Sequence, residues 1–391
     1  MKIIEIGTGY TTIPAKIGAA TEIVIENLLI SFCKLHIRSE LFDISYNGRN
    51  TLNENELGDD VIVHRINIPI FLQTVKDRSI IHLFRRVWYS VKLAFFLKRY
   101  LSDETETENE IYLHFHNQFN FLFSYVILRT FHRHKEVKTL YTLHTPDWSI
   151  VKKIPIRLIL EKFALKKADV IICLTSLIKH NIMNLLKIKS GKINVVSNGV
   201  NTRQYRPLEK VFKKNWIVNI GSICERKNQL ETIKLLSPFL KKYNFRFVFA
   251  GKIVDYDYFR NIQSFVEKNE LSSFVRYIGE VTPGEALNNL YNSARFYVSH
   301  SKSEAFSLVV LESMAAKLPV ILSPAFKVSF ADSSDFVEEI IKFPEDSLLT
   351  SVLEELLDES NYQEYSEEQY RFVLNSFSWD VKAEEIIKKI V

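Results

Sequence analysis

Two glutamates, Glu304 and Glu312, stand eight residues apart in the segment HSKSEAFSLVVLESMAAKLPV at positions 300–320. The residue pattern predicts a strand that ends at Ser299 and a helix that opens near Ser307. Eight helical residues rise about 12 Å, roughly the distance from a sugar ring to the ribose of a nucleotide diphosphate. Carboxylates accept hydrogen bonds from hydroxyls, and the free N–H groups of a helix start suit a diphosphate. The spacing therefore predicts a site for a nucleotide sugar, and the residues expected at its helix start are Phe306, Ser307 and Leu308.

A second segment, GSICERKN at positions 221–228, follows a predicted strand directly and opens a helix. Gly221 lets the backbone approach a ligand closely. Arg226 and Lys227 supply cations that would oppose the negative charge developing on a departing diphosphate. We expect Gly221 to contact the donor and the two cations to take part in catalysis.

The first of these segments resembles the E-x7-E signature of family 4 retaining glycosyltransferases, which have the GT-B fold. The resemblance implies that Glu304 contacts the donor sugar and that Glu312 holds the ribose. The family commonly has glycine where Ala305 and Lys317 stand. Its glycine–basic–lysine loop matches Gly221 and Lys227, but Ser222 replaces a frequent arginine, for which Arg226 is the candidate substitute.

The first half carries weaker signals of the same resemblance. The loop after the first strand, GTGYTTIPAKIG at positions 7–18, places Gly18 where the family has a phosphate-approaching glycine. His116 and His144 each follow a predicted strand, where ligands bind in parallel sheets. The resemblance implies that His144 touches the donor sugar. We expect His116 on the acceptor side. Asp147 and Trp148 beside His144 are further acceptor-side candidates.

These segments need a scaffold of parallel strands and helices, and the whole chain has that alternation. Buried apolar strands between helices are typical of doubly wound α/β domains. The expected strands are Lys2–Ile6, Val61–Ile68, Ile111–Phe115, Thr139–Leu143, Asp169–Leu174, Ile193–Ser197, Trp216–Ile220, Arg246–Ala250, Val275–Ile278, Phe296–Ser299 and Val320–Leu322. The expected helices are Ala19–Leu35, Arg78–Tyr100, Ile156–Lys167, Asn228–Lys242, Asp257–Asn269, Pro283–Asn292 and Ser307–Ala316.

The polar stretch between Asn198 and Asn215 reads as a linker between two such domains. We therefore predict two facing Rossmann-like domains: residues 1–200 on the acceptor side and residues 201–375 binding the donor. Residues 376–391, from the helix opened by Ser378 and Trp379, are expected to return to the first domain.

The charge differs between the two halves. Residues 1–195 hold 27 Lys and Arg and 19 Asp and Glu, or +8, and the remainder holds 24 and 27, or −3. The basic residues are dispersed and no nucleic-acid module is visible, which argues against a nucleic-acid partner. Three widely spaced cysteines and no apolar run long enough for a bilayer favour a cytoplasmic protein.

The predicted helix at 78–100 interleaves Phe84, Trp88 and Phe95 with lysines and arginines. Such a helix could lie on an anionic membrane, at the inner face of which a lipid-linked acceptor would be found. It is equally consistent with an ordinary amphipathic helix packed on the sheet.

Together these features predict a retaining transfer of a hexose-type sugar from a UDP- or GDP-sugar to an unknown glycan, lipid-linked or glycoconjugate acceptor. A nucleotide-sugar epimerase on the same fold, or a non-catalytic binding or coat protein, remains open as an alternative. No cofactor and no metal are expected. Asp255 and Asp257 have a metal-like spacing but precede a helix, so they are expected to form its capping turn.

Overall fold

The computed structural model divides into two compact units, Met1–Val196 with Lys382–Val391, and Ser197–Val381. It describes residues 1–14, 20–45, 57–58, 60–72, 80–103, 110–131, 137–144, 155–304, 306–333 and 337–390. Within these parts of the chain, no helix is both long enough and apolar enough to span a bilayer.

The first unit is built on a seven-stranded parallel sheet in the order β3-β2-β1-β4-β5-β6-β7. Its strands are β1 (Lys2–Ile6), β2 (Arg38–Ser45), β3 (Ile62–Asn67), β4 (Ile111–Phe115), β5 (Val137–Leu143), β6 (Val170–Cys173) and β7 (Ile193–Val195). Its helices are α1 (Ala20–Lys34), α2 (Ile80–Asp103), α3 (Gln118–Phe131), α4 (Pro155–Lys167) and α5 (Ser176–Leu186). The strands are largely buried, as expected for a sheet covered by helices.

The second unit has a five-stranded parallel sheet in the order β10-β9-β8-β11-β12. Its strands are β8 (Trp216–Ile220), β9 (Arg246–Ala250), β10 (Val275–Tyr277), β11 (Phe296–Ser299) and β12 (Val320–Leu322). Its helices are α6 (Gln229–Tyr243), α7 (Tyr256–Lys268), α8 (Glu285–Ser293), α9 (Leu308–Ala315), α10 (Lys327–Phe330), α11 (Val337–Ile340), α12 (Leu349–Glu355) and α13 (Glu359–Phe377).

The last helix, α14 (Trp379–Ile390), begins in the second unit, and its residues from Lys382 onward group with the first. Near its end, the Tyr112 hydroxyl of β4 donates a hydrogen bond to the Ile390 carbonyl at 2.8 Å. At its start, Trp379 packs where any side chain at position 199 would stand. A Cβ on Gly199 would lie 2.7 Å from the indole ring, so this turn requires glycine.

The prediction of a doubly wound α/β fold with two parallel sheets is confirmed. Strand β2 was not predicted, because Glu40 and Asp43 interrupt its apolar run. Both carboxylates are buried, and Lys2 and Arg65 pair with them, each at 2.6 Å. The pairing explains how charged residues sit in the middle of a sheet.

Several helices were also missed. The most apolar is α3, whose sequence QFNFLFSYVILRTF shows no clean 3.6-residue stripe. The capping turn predicted at Asp255–Asp257 is present: the Asp255 carboxylate accepts a hydrogen bond from the Tyr258 N–H at 2.9 Å, at the start of α7.

Candidate functional site

The loop after β8 lies against the loop after β9 through two glycines. Gly251 has φ +142°, and a Cβ there would overlap the carbonyl oxygen of Gly221. Gly221 has φ +156°, and its Cβ would lie 3.2 Å from the Cε of Lys227. The two glycines therefore let the strand ends approach each other and leave room for the Lys227 side chain.

Arg226 and Lys227 lie in a single 3-10 turn, Glu225–Lys227, between β8 and α6. Asn228 ends this turn with φ +57° and a backbone hydrogen bond to the Glu225 carbonyl. The turn directs both cations at one carboxylate. Lys227 Nζ lies 2.6 Å from Glu304 Oε1, and an Arg226 guanidinium nitrogen lies 3.2 Å from the same oxygen.

Glu304 is the centre of this cluster, in the loop between β11 and α9. Its side chain is only 9% exposed, and the Ser301 hydroxyl donates to Oε1 at 2.8 Å. Burial alone would raise the pKa of Glu304, but Lys227 and Arg226 outweigh it and lower that pKa. Glu304 is therefore a carboxylate whose oxygens can accept hydrogen bonds from hydroxyls.

The next residues form the start of α9. Ser307 is its N-cap residue in an extended conformation, and its side chain makes no capping hydrogen bond. The ring of Phe306 is buried against Phe330 and Phe377, with centroids 5.3 and 5.5 Å away. Phe306 thus anchors the loop in the core, while Leu308 begins the first helical turn, whose backbone N–H groups suit an anion.

The second predicted carboxylate, Glu312, lies within α9 and is 6% exposed. The Tyr291 hydroxyl of α8 donates to its Oε2 at 2.9 Å, and Tyr205 also hydrogen-bonds the carboxyl. Burial raises the pKa of Glu312 to about 7 and outweighs these two hydrogen bonds. The helical stretch between the two glutamates is shorter than the eight-residue estimate assumed, since α9 begins only at Leu308.

In the first unit, the structure joins His116 and His144 into a hydrogen-bonded chain. His116 Nδ1 lies 2.8 Å from His144 Nε2, and His116 Nε2 lies 2.8 Å from Glu5 Oε2. The other Glu5 oxygen contacts His114 Nδ1 at 2.7 Å. Sequence reasoning missed Glu5 and His114. Their signal is a polar residue inside the apolar strand KIIEI and a histidine two residues before His116, on the same face of β4.

This group is also the one place among the described residues where donor atoms are spaced for a metal ion. The donors of Glu5, His114 and His116 lie within 4.8 Å of one another. In the structure they are paired with each other by hydrogen bonds, and a bound ion would have to replace those bonds. Metal independence thus stays a prediction, to be tested by chelation.

His116 and His144 line a cavity of about 490 Å³ in the first unit. The Arg86 guanidinium lies over the rings of Tyr10 and Phe119, at 4.8 and 4.4 Å from their centroids, and also lines the cavity. The cavity therefore combines aromatic surfaces with hydrogen-bonding groups, as polar-ligand sites do.

Three predicted site residues, Gly18, Asp147 and Trp148, lie outside the described residues. The structure brings two groups of the others together. Lys227 and Arg226 contact the Glu304 carboxylate, with Gly221 beside Lys227, and His116 and His144 share one hydrogen bond at the ends of β4 and β5. Phe306, Ser307, Leu308 and Glu312 lie just before α9 or within it.

Two family models match consecutive parts of the chain. The model described as "Glycosyltransferase Family 4" matches residues 22–204, and "Glycosyl transferases group 1" matches residues 201–371. Among curated proteins, the O-antigen chain mannosyltransferase RfbU of Salmonella typhimurium is 30% identical over 178 residues, 46% of this chain and 48% of that protein. The chain thus spans about half the length of the curated relatives it matches.

Solved structures share the fold over the full length. Sucrose-phosphate synthase from Thermosynechococcus elongatus has a TM-score of 0.73 at 16% identity, covering 99% of this chain and 97% of that one. Anabaena HepE in complex with UDP has a TM-score of 0.71 at 13% identity, covering 100% and 99%. With both halves matched by family models and the whole fold shared, the chain belongs to the family 4 glycosyltransferases, which have the GT-B fold.

Proposed function

We propose that this glycosyltransferase moves a hexose from a nucleotide-diphosphate sugar, UDP- or GDP-linked, to an acceptor with retention of the anomeric configuration. The observation that carries the proposal is the carboxylate of Glu304, held between Lys227 and Arg226 beside the start of α9. The two cations and the helix start suit the diphosphate, and the carboxylate suits the hydroxyls of the sugar.

Each group has a place in the reaction. Breaking the glycosidic bond leaves positive charge on the sugar and negative charge on the diphosphate. Lys227, Arg226 and the N–H groups at the start of α9 would stabilise the diphosphate charge. Arg226 fills the role of the arginine that Ser222 replaces, since its guanidinium lies 3.2 Å from the same carboxylate as Lys227.

The two carboxyls would bind the donor differently. Glu304 is ionised and would accept hydrogen bonds from the sugar hydroxyls, releasing Lys227 toward the phosphates as the donor enters. Glu312 accepts hydrogen bonds from tyrosine hydroxyls. It would accept a further hydrogen bond from a ribose hydroxyl through an oxygen lone pair that the tyrosines leave unused. Retention follows if the departing phosphate oxygen takes the acceptor proton on the face that it leaves, so that no separate general base is required.

The relatives support this donor class without defining it. RfbU is named a mannosyltransferase, and HepE was solved with UDP. HepE was also solved with the sugar nucleotide UDP-glucose, and the proposal for this chain is a UDP- or GDP-sugar.

Ligand-induced thermal stabilisation against UDP, GDP, ADP and their sugars tests the donor. A ligand at a hundredfold excess over its Kd stabilises the protein by about 2.7 kcal/mol. We expect one nucleotide to raise the melting temperature and Lys227→Met to remove most of that rise. Lys234→Met is the matched control, because Lys234 is an exposed cation of α6 that pairs with Glu231, 3.1 Å away, on the same helix.

No stabilisation by any nucleotide would contradict the proposal and favour a non-catalytic binding protein. An epimerase would instead convert the donor with no acceptor present, so product analysis with donor alone separates that alternative. A transferred sugar with inverted anomeric configuration, whether on water or on another acceptor, would refute retention.

We further propose that the acceptor is reached from an anionic membrane surface, at the cytoplasmic face. On α2, Phe84 and Phe95 are 63% and 54% exposed, and Trp88 lies between them at helical spacing. On α4, the apolar side chains of Ile156 and Ile159 are also exposed. Aromatic side chains flanked by cations such as Arg99 suit an interface with anionic lipid.

Vesicle flotation tests this second proposal. We expect binding to vesicles that contain phosphatidylglycerol, weaker binding to phosphatidylcholine alone, and loss of binding in Phe84→Ser/Phe95→Ser. Val254→Ser is the control, since Val254 is an exposed apolar residue of the second unit. Equal recovery with both lipids, or no binding, would refute the membrane proposal and leave the transfer reaction untouched.

A further inference from the structure

Glu5 lies at the centre of the hydrogen-bonded chain in the first unit and is fully buried. Parallel pairing of β1 and β4 sets Glu5 beside His114, and His116 follows two residues later on the same face. Each carboxylate oxygen contacts one imidazole, His114 at 2.7 Å and His116 at 2.8 Å. A buried charge of this kind is retained only where its hydrogen bonds are satisfied.

The direction of each hydrogen bond follows from the charge of Glu5. Burial alone would raise the pKa of Glu5, but the two imidazoles outweigh it and lower that pKa to about 2. An ionised carboxylate only accepts, so His116 must carry its proton on Nε2 and donate to Glu5. Burial, with His114 nearby, lowers the pKa of His116 to about 4, so its ring is neutral and its Nδ1 is an acceptor.

The next link fixes His144. Because His116 Nδ1 accepts, the proton between the two rings belongs to His144 Nε2, 2.8 Å away. Burial, with His116 beside it, lowers the pKa of His144 well below its ordinary value, so this ring is neutral too. A neutral imidazole protonated on Nε2 has its lone pair on Nδ1. His144 lines the cavity, and its Nδ1 makes no hydrogen bond to a described residue.

We infer that Glu5 is a positioning residue: it acts through His116 to hold His144 in the Nε2–H tautomer, so that His144 Nδ1 accepts a hydrogen bond from a substrate hydroxyl. The identity of that hydroxyl as one of a sugar rests on the proposed function. The tautomer itself does not, since the contacts that fix it lie within the first unit. The same contacts give His116 a supporting role, because both of its ring nitrogens are already bonded.

Nitrogen-15 NMR of the histidine rings tests the tautomer directly. We expect the wild-type His144 signals to show a neutral ring with the proton on Nε2, assigned by their loss in His144→Gln. A ring protonated on Nδ1, an average of both tautomers, or an imidazolium near neutral pH would overturn the inference. An unchanged histidine spectrum after EDTA treatment is expected, whereas signals that shift on chelation would show a metal site instead.

Glu5→Gln then tests whether Glu5 is the cause. A glutamine amide can accept from only one of the two imidazoles that the carboxylate serves. We expect His116 and His144 to change tautomer together. If the amide oxygen stays on His116 and only His114 changes, Glu5→Leu, which leaves neither imidazole its acceptor, must change His116 and His144 together. No change in any of the three, or a change in His116 without His144, would refute the role of Glu5.

Glu161→Gln is the matched control. Glu161 is another buried carboxyl lining the same cavity, but it accepts a hydrogen bond from the Tyr141 hydroxyl at 2.6 Å rather than from an imidazole. It should leave all three tautomers as in the wild type.

Activity provides the functional arm. Removing one hydrogen bond to substrate typically costs about tenfold in kcat/KM. We expect about that loss in His144→Gln, and in Glu5→Gln if its His144 tautomer has changed. Full activity of His144→Gln would refute the substrate contact. A wild-type protein that shows the expected tautomer but no transfer would refute the proposed function alone.

Discussion

Replacing Glu312 by glutamine should make the second unit more stable at alkaline pH and remove a pH dependence that the wild type shows. Glu312 is buried within α9, and burial raises its pKa from 4.5 to about 7. The folded protein therefore keeps the Glu312 proton in a pH range where the unfolded chain has lost it. Wild-type stability should fall as the pH rises from about 4.5 to about 7 and then level off.

The magnitude follows from the pKa. A tenfold change in proton affinity is worth about 1.4 kcal/mol, so a pKa raised from 4.5 to about 7 corresponds to about 3 kcal/mol. Glutamine carries no charge at any pH and retains an oxygen that can accept a hydrogen bond from the Tyr291 hydroxyl. Its amide N–H groups also need partners in a buried site, which would cost about 1 kcal/mol. We therefore expect a net gain of about 2 kcal/mol at pH 8 and a net loss at pH 4.5.

Urea unfolding of both proteins between pH 4.5 and 8, followed by circular dichroism, measures this difference. Plotted against pH, the two free energies of unfolding should cross within that range, and Glu312→Gln should be the more stable protein above the crossing pH. Parallel curves for wild type and Glu312→Gln would refute the reasoning, because they would mean that Glu312 titrates alike in the folded and unfolded chains. Glu364→Gln is a control on an exposed carboxylate of α13 and should change the pH dependence little.

Lys317 has φ +58° and pairs with Glu367 at 2.6 Å. Lys317→Gly should relieve about 1 kcal/mol of left-handed backbone strain and lose about 0.5 kcal/mol from the half-exposed ion pair, so its free energy of unfolding in urea should rise slightly. Lys317→Ala keeps the strain and loses the ion pair, so its free energy of unfolding should fall. Gly251→Ala should lower the free energy of unfolding by about 3 kcal/mol or more, because its Cβ would overlap the Gly221 carbonyl. Gly279→Ala, at φ +81° with open space around its Cβ, should cost only about 1 kcal/mol in the same denaturation assay, and equal losses would contradict the overlap argument. EDTA should leave the rate of sugar transfer unchanged, and a loss of activity restored by a divalent ion would show a metal requirement.

The sequence by itself determined the scaffold and the position of the donor-side groups. Apolar strands between helices have a short-range signature, and six strands, including Ile111–Phe115 and Trp216–Ile220, have the bounds that the sequence predicted. The sequence likewise predicted the loop that carries Gly221 and Lys227, and the start of α9. Each is a turn between a strand and a helix, and local residue types dictate such turns.

What the sequence did not determine was which charges meet. Glu40 and Asp43 obscured β2 because their partners, Lys2 and Arg65, come from neighbouring strands. Glu5 and His116 are 111 positions apart, and only the register of the parallel sheet brings them within 2.8 Å. The ionisation of Glu304 and Glu312 also differs because tertiary contacts set the surroundings of each carboxyl. Two cations contact Glu304, whereas Glu312 is buried and hydrogen-bonded to tyrosine hydroxyls, and burial depends on the packing of the whole domain.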